Sequence, residues 1–401
     1  MNVTDHSRKS VLVLTHNYPR FPGDVSGVFL RNLLQSLDGS SRFTVLVPHD
    51  KGLDEEDRDQ TRKLLRFRYG SDESETLAYR GEMHHAIKSR PVSVLRFFQS
   101  YRKAAIRESA GETYDLIWAH WWIPGGWAGS KASHKSGTPL LLTCHGTDIF
   151  LLSKFPMIRS LGSGVFARAD HITVVSSYLK DQLVSSMGDR VPGLGDKVEV
   201  IPMPVSEEAF SYDEGVTPRK GSIISASRLT SQKHLDKLLQ AAAKLKVDKL
   251  EFSIDLFGDG PEKANLSAMI RDLGLSSEVK IHDPVSQTEL ADKYRRSEIA
   301  VLVSEREGFG LMLPEAMMCG CAAVGAKSGG ITDIIGEDGI DGLFVEPGDA
   351  DSLYIVLKRL ISERDVLERL SKSCRVSASR RFSEASIAAR FSELIRTTAS
   401  S

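Results

Sequence analysis

The sequence predicts an α/β protein made of two doubly wound, Rossmann-like domains facing across a cleft. Three observations carry that expectation. The chain has 401 residues, too many for one ordinary core, and two units of about 200 residues are the natural division. Short β-branched runs alternate with helical periods in both halves, and apolar strands alternating with helices form parallel sheets covered on both faces. Between the halves, residues 202–220 (PMPVSEEAFSYDEGVTPRK) carry prolines, a glycine and charge but no periodicity.

In the first half, strands are expected near Val11–Thr15, Phe43–Val47, Leu116–Ala119, Leu140–Thr143, His171–Val175 and Val198–Ile201. Helices are expected at Gly27–Leu37, Gly126–His134, Phe155–Ala167 and Ser177–Ser186. The second half repeats the scheme, with strands near Ser222–Ala226, Phe252–Phe257, Val279–Ile281, Ile299–Val303, Ala322–Gly325 and Leu343–Val345. The expected domains are 1–205 and 206–380. Residues 381–401 contain an amphipathic helix, Phe382–Thr397, expected to return to the N-terminal domain.

Composition narrows the function. Hydrophobic content of 41% and charged content of 26% are those of a soluble globular protein. A net charge of −1 argues against a nucleic-acid binder. MNVTDHSRKS has no apolar core of a secretory signal, and no apolar run approaches the ~18 residues of a membrane span. The expected location is cytoplasmic. Cys144, Cys319, Cys321 and Cys374 form neither a disulfide framework nor a zinc pattern and are expected as buried hydrophobes.

Chemistry concentrates in the second half. In SEREGFGLMLPEAMMCGCAAVGAKSGG (Ser304–Gly330), Glu307 and Glu315 stand eight positions apart around a Gly-Phe-Gly turn. The spacing alone is weak, since Glu199 and Glu207 share it. Context strengthens it. Gly308 and Gly310 let backbone N–H groups approach an anion at the end of a buried strand, and Pro314 suits a first helical turn. Carboxylates there would repel a phosphate, so Glu307 and Glu315 are expected to accept from sugar hydroxyls. Glu305 reads as a solvated loop charge. In SASRLTSQKHLDKLL (Ser225–Leu239), Arg228 and Lys233 flank an expected helix start, with Lys233 in its first turn. Cations there oppose the helix dipole unless a multiply charged anion joins them. LFGDGPE (Leu256–Glu262) is a strand-to-helix turn without the G-x-G-x-x-G of a dinucleotide site.

These segments, with Gly329-Gly330 and DGLFVEPGD (Asp341–Asp349), resemble the retaining glycosyltransferases of family four, which have the GT-B fold. The resemblance runs in order over about residues 221–350. YPRFPGDVSGVF (Tyr18–Phe29), HGTDIF (His145–Phe150), RFRYG (Arg66–Gly70) and AHWWIPGGWAG (Ala119–Gly129) extend it into the first half. It implies a hexosyl-type transferase that uses a nucleotide-diphospho-sugar as co-substrate, with no cofactor and no metal. Arg228 and Lys233 would hold the diphosphate. Glu307 would lie by the transferred sugar, among the amides of Gly308, Phe309, Gly310 and Leu311. Glu315 would accept from the ribose, and the base would pack near Val285. From the first half, Gly27 would close on the diphosphate and His145 would reach the sugar, while Asp148 equally suits a cap on the turn after Gly146.

The chain departs from the family pattern at His234, where Gly is usual after the Lys, at Asp283, where Gly is common, and at Pro202-Met203-Pro204, where Asn-Gly is frequent. The acceptor is left open among a cell-envelope polysaccharide, a glycolipid and a small molecule. A same-fold epimerase or phosphorylase, or a non-catalytic nucleotide-sugar-binding protein, are the alternatives. Residues 84–107 carry six Lys/Arg and no acid. A helix there would place Val94, Phe98, Tyr101 and Ala105 on one face and Arg96, Lys103 and Arg107 on the other, which admits peripheral contact with the inner face of a membrane.

Overall fold

Runs such as LIWAH and LLLTC, buried at every position, can only be the central strands of a sheet covered on both faces. The computed structural model describes residues 8–21, 23, 24, 26–79 and 90–400, and they form two compact units. One comprises residues up to Pro202 together with Ile387 onward, and the other spans Met203–Ser386.

The first unit contains, in chain order, β1 (Lys9–Leu14), α1 (Val28–Leu37), β2 (Ser41–Pro48), β3 (Glu56–Asp59), β4 (Arg62–Phe67), α2 (Pro91–Gly111) and β5 (Leu116–His120). It continues with α3 (Trp127–Ser136), β6 (Leu140–Cys144), α4 (Thr147–Lys154), α5 (Arg159–Arg168), β7 (His171–Val174), α6 (Ser177–Met187), α7 (Leu194–Lys197) and β8 (Val198–Val200). The sheet order is β3-β4-β2-β1-β5-β6-β7-β8, parallel except where β3 meets β4.

The second unit holds β9 (Ser222–Ala226), α8 (Leu235–Val247), β10 (Ser253–Phe257), α9 (Lys263–Asp272), β11 (Val279–His282), α10 (Gln287–Arg295) and β12 (Ile299–Leu302). Then come α11 (Met312–Met318), β13 (Ala322–Ala326), α12 (Ile331–Ile334), β14 (Leu343–Val345), α13 (Ala350–Ser362), α14 (Arg364–Phe382) and the start of α15 (Glu384–Thr398). Its sheet, β11-β10-β9-β12-β13-β14, is wholly parallel. Further along α15, Phe391 packs 5.0 Å from Trp118, and Arg390 binds Glu199 at 2.8 Å.

Three details correct the sequence expectation. β3 and β4 were not anticipated, because EDRD and RKLLRF read as charged surface. Arg62 is nevertheless fully buried, since Asp38 and Asp59 each accept from it at 3.1 Å. The helix expected at Phe155–Ala167 is the second arm of a bent pair, and α4 precedes it. Pro156 forces Phe155 out of helical geometry, so α4 ends there. The apolar face of α2 is Phe97, Tyr101, Ala104 and Ala105, one step from the expected set, with Phe98 half-buried against Trp127. Arg96, Lys103 and Arg107 are exposed, and residues 84–89 of the basic stretch lie outside the described residues.

Candidate active site

The second unit brings most of the expected site residues to the carboxyl ends of its central strands, where parallel sheets bind ligands. Arg228 lies on the loop after β9, exposed, with no hydrogen-bond or ion-pair partner for its guanidinium among the described residues. Backbone pairing holds its loop: Ser227 N–H donates to Phe257 and Leu229 N–H to Asp259, at 3.0 and 2.9 Å. The two glycines of the Gly-Asp-Gly turn permit that approach. A Cβ on Gly258 or Gly260 would strike the Ser227 or Leu229 carbonyl. The motif therefore serves as a seat for Arg228.

Lys233 differs from expectation. It ends a 3-10 turn, Ser231–Lys233, ahead of α8 rather than within its first turn. His234 follows with φ of 48°, a left-handed conformation that Gly adopts freely, which explains why Gly is common there. Lys233 Nζ is bonded to Glu307 at 2.5 Å. Around this pair the turn is knitted to the Glu307 loop. Gln232 Nε2 donates to the Glu305 and Arg306 carbonyls at 3.0 and 3.1 Å, and Glu305 N–H returns to Gln232 at 3.0 Å. Glu305 is exposed, 3.4 Å from His234.

Behind that loop sits the glycine pair. Gly330 N–H donates to the Glu307 carbonyl at 2.8 Å, and side chains at Gly329 or Gly330 would collide with the backbone of 306–309. Phe309 turns inward against Phe382 at 5.6 Å, so only its backbone is left for a ligand. Gly310 has φ of 99°, and half-buried Leu311 caps α11. That helix has seven residues, under two turns, so its dipole is a smaller asset than the sequence suggested. Val285 is half-buried just before Ser286, the N-cap of α10. Asp283 is tied to Lys263 at 2.5 Å.

Glu315 stands apart. It lies in the first turn of α11, half-buried, and its carboxylate has no hydrogen bond or ion pair among the described residues. Burial pushes it from 4.5 up to about 8. The hydroxyls of Tyr294, Ser225 and Ser304 are also buried without partners in this unit. A half-buried carboxylate without a partner is costly and calls for donors.

In the first unit, Gly27 (φ 66°) is the N-cap of α1 and lies so close to Asn17 that a Cβ would strike the Asn17 carbonyl. Arg20 holds the same loop through Asp24 and Asp50, both at 2.7 Å. Of the loop Gly23–Gly27, Val25 lies outside the described residues. His145 follows β6, its Nε2 3.0 Å from His120 Nδ1, with the Trp121 ring at 4.2 Å and Phe29 at 5.3 Å. Burial, with His16 nearby, lowers His145 to about 3. It is therefore neutral near pH 7 and suited to hydrogen-bonding a hydroxyl. Asp148 is buried and accepts from the backbone N–H groups of Trp122, His145 and Gly146. It is a cap, the alternative the sequence allowed. His16, His120 and Trp121 were not foreseen as neighbours of His145. The carboxyl ends of the adjacent strands β5 and β6 could have paired His120 with it.

The structure also assembles a cluster the sequence did not show. His49, Asp72 and Glu75 offer ligand atoms within 4.8 Å of one another. They satisfy each other instead. His49 meets Glu75 at 2.6 Å, and the Arg68 guanidinium reaches both Asp72 and Glu75, standing where a cation would.

Two family models match adjoining parts of this chain, together residues 26–376. "Glycosyltransferase Family 4" covers residues 26–209 and "Glycosyl transferases group 1" covers 207–376. The chain belongs to glycosyltransferase family 4. The transferase is 26% identical over 285 residues to N-acetyl-alpha-D-glucosaminyl L-malate synthase of Bacillus anthracis, spanning 70% of this chain and 74% of that protein. Its fold is GT-B. Sucrose-phosphate synthase of Thermosynechococcus elongatus superposes with a TM-score of 0.79 at 17% identity, covering 97% and 99% of the two chains. HepE of Anabaena, crystallised with UDP-glucose, gives 0.71 at 18% identity, covering 97% and 100%.

Proposed function

We propose that this glycosyltransferase moves a sugar, with retention of anomeric configuration, from a nucleotide-diphospho-sugar, and that it does so without a metal. The observation that carries the donor class is a contrast within the second unit. Among the described residues Arg228 is a cation with no partner, and Glu315 is a half-buried carboxyl with none. A nucleoside diphosphate satisfies both, its phosphates meeting the guanidinium fork and its ribose hydroxyls donating to Glu315. The UDP-glucose bound by HepE is a ligand of this kind.

Catalysis follows from the same groups. As the diphosphate departs on the face that the acceptor hydroxyl enters, Arg228 stabilises its growing charge. Lys233 is engaged with Glu307, so its role shifts from a free phosphate cation to holding Glu307, which faces the sugar. Gly308, Gly310 and Leu311 contribute backbone amides, and Val285 a wall for the base. In the N-terminal unit, neutral His145 bonds a sugar hydroxyl and Gly27 gives phosphate a close approach to backbone.

The test is a donor screen by thermal shift, in which a donor at a hundred times its dissociation constant adds about 2.7 kcal/mol. No shift with any nucleotide-diphospho-sugar refutes the donor class. A cytoplasmic location with peripheral membrane contact through α2 belongs to the same proposal, supported by exposed Arg96, Arg102, Lys103 and Arg107. No single helix among the described residues is long and apolar enough to cross a membrane.

A further inference from the structure

The link between α4 and α5 exposes an apolar corner that packing within its unit does not explain. The two arms are bent by 108°. At the bend Met157 is 93% exposed, Phe155 47% and Leu161 42%. Single surface hydrophobes are ordinary, but three large ones within seven residues mark an interaction surface.

The charge around the corner has one sign. Between Ile149 and Ala169 the charged residues are Lys154, Arg159 and Arg168, with no Asp or Glu. Arg168 is turned back to Asp170 at 3.1 Å. Lys154 lies over the Phe155 ring, 5.6 Å from its centroid, so cation and apolar surface are presented together. The corner also has a defined place. α5 runs into the amino end of β7, so its first turn lies towards the carboxyl ends of the strands, the side that carries His145. The first turns of α2, which runs into the amino end of β5, lie on that side too. There Val92 and Leu95 are 60% and 58% exposed, with exposed Arg96 beside them.

We infer that this corner docks the protein on an anionic lipid surface. Met157, Phe155 and Leu161 enter the headgroup–acyl boundary, while exposed Lys154 meets anionic headgroups, joined by the outer nitrogens of half-buried Arg159, whose Nε donates to the Leu152 carbonyl at 2.8 Å. Helices of eight and ten residues are too short to span a bilayer but suit an interfacial wedge. A second copy is a poorer occupant, because a two-fold contact would bring the same cations together. The inference goes beyond the donor proposal and does not depend on it.

The experiment is co-sedimentation of the full chain with vesicles of phosphatidylcholine alone or mixed with phosphatidylglycerol, with light scattering in parallel. The expected result is binding to the mixed vesicles that weakens with salt. Met157→Glu, and independently Phe155→Ser, should lower it by roughly tenfold or more. Equal binding to both vesicle types overturns the inference. So does binding unchanged in both variants, or a concentration-dependent dimer that Met157→Glu dissolves. The thermal-shift donor screen is run on the same samples. If no nucleotide-diphospho-sugar binds the unaltered protein, the donor proposal fails while the vesicle result still decides this one.

Discussion

Glu315→Gln should make the free protein more stable and the donor site worse. The carboxyl is raised from 4.5 to about 8 by burial, with no partner among the described residues to offset it. An acid whose folded pKa lies above its unfolded one holds more protons in the native state. Native stability therefore falls as pH rises from 4.5 towards 8, and stays low above that. Each pH decade is worth about 1.4 kcal/mol, which caps the loss at about 5 kcal/mol. Because the side chain is only half-buried, screening by water reduces this to about 1–2 kcal/mol. Gln keeps the shape and removes the charge. Urea unfolding at about pH 4.5 and about pH 9 should find the variant equal to wild type at the first and more stable by that amount at the second. Nucleoside-diphosphate binding should meanwhile weaken by about 1–3 kcal/mol, the worth of hydrogen bonds to a charged group. A variant less stable than wild type at about pH 9, or a gap that ignores pH, would refute the argument that burial alone sets this carboxyl.

Arg228→Ala should weaken binding of the bare nucleoside diphosphate by about 1.5–3 kcal/mol in calorimetry; unchanged affinity removes Arg228 from the site. Glu307→Gln should lower turnover by on the order of tenfold or more while leaving the bare nucleotide's affinity nearly intact, because its carboxylate meets the sugar as charge develops. Gly330→Ala pushes on the backbone of 308 and 309, so it should cut turnover about tenfold or more with the fold retained by circular dichroism. Turnover should survive excess EDTA; loss restored by magnesium or manganese would show that Arg228 alone does not neutralise the leaving group.

The alternation of strands and helices was legible because a parallel sheet demands continuous apolar runs, and twelve such runs were placed within a residue or two. β4 was not, because its buried Arg62 is intelligible only with Asp59 and with Asp38, which is remote in sequence. The α4–α5 bend was not foreseen, because the one helix expected there, Phe155–Ala167, covers only the second arm, while α4 ends at Phe155 before Pro156. In the candidate site, the types and order of residues were readable, but their pairing was not. That Lys233 is spent on Glu307 while Arg228 stays free follows from the 3-10 turn and the left-handed His234. No residue count reveals that. The histidines around His145 come together only because β1, β5 and β6 are neighbours in the sheet.

The central claim, transfer with retention from a nucleotide-diphospho-sugar, is tested most directly by proton NMR of the first sugar released. An α-configured donor that passes the binding screen is incubated with the protein in EDTA, and the anomeric signal is followed before mutarotation. The account predicts that the α-anomer appears first. Initial release of the β-anomer, or no turnover of any donor that binds, would contradict it.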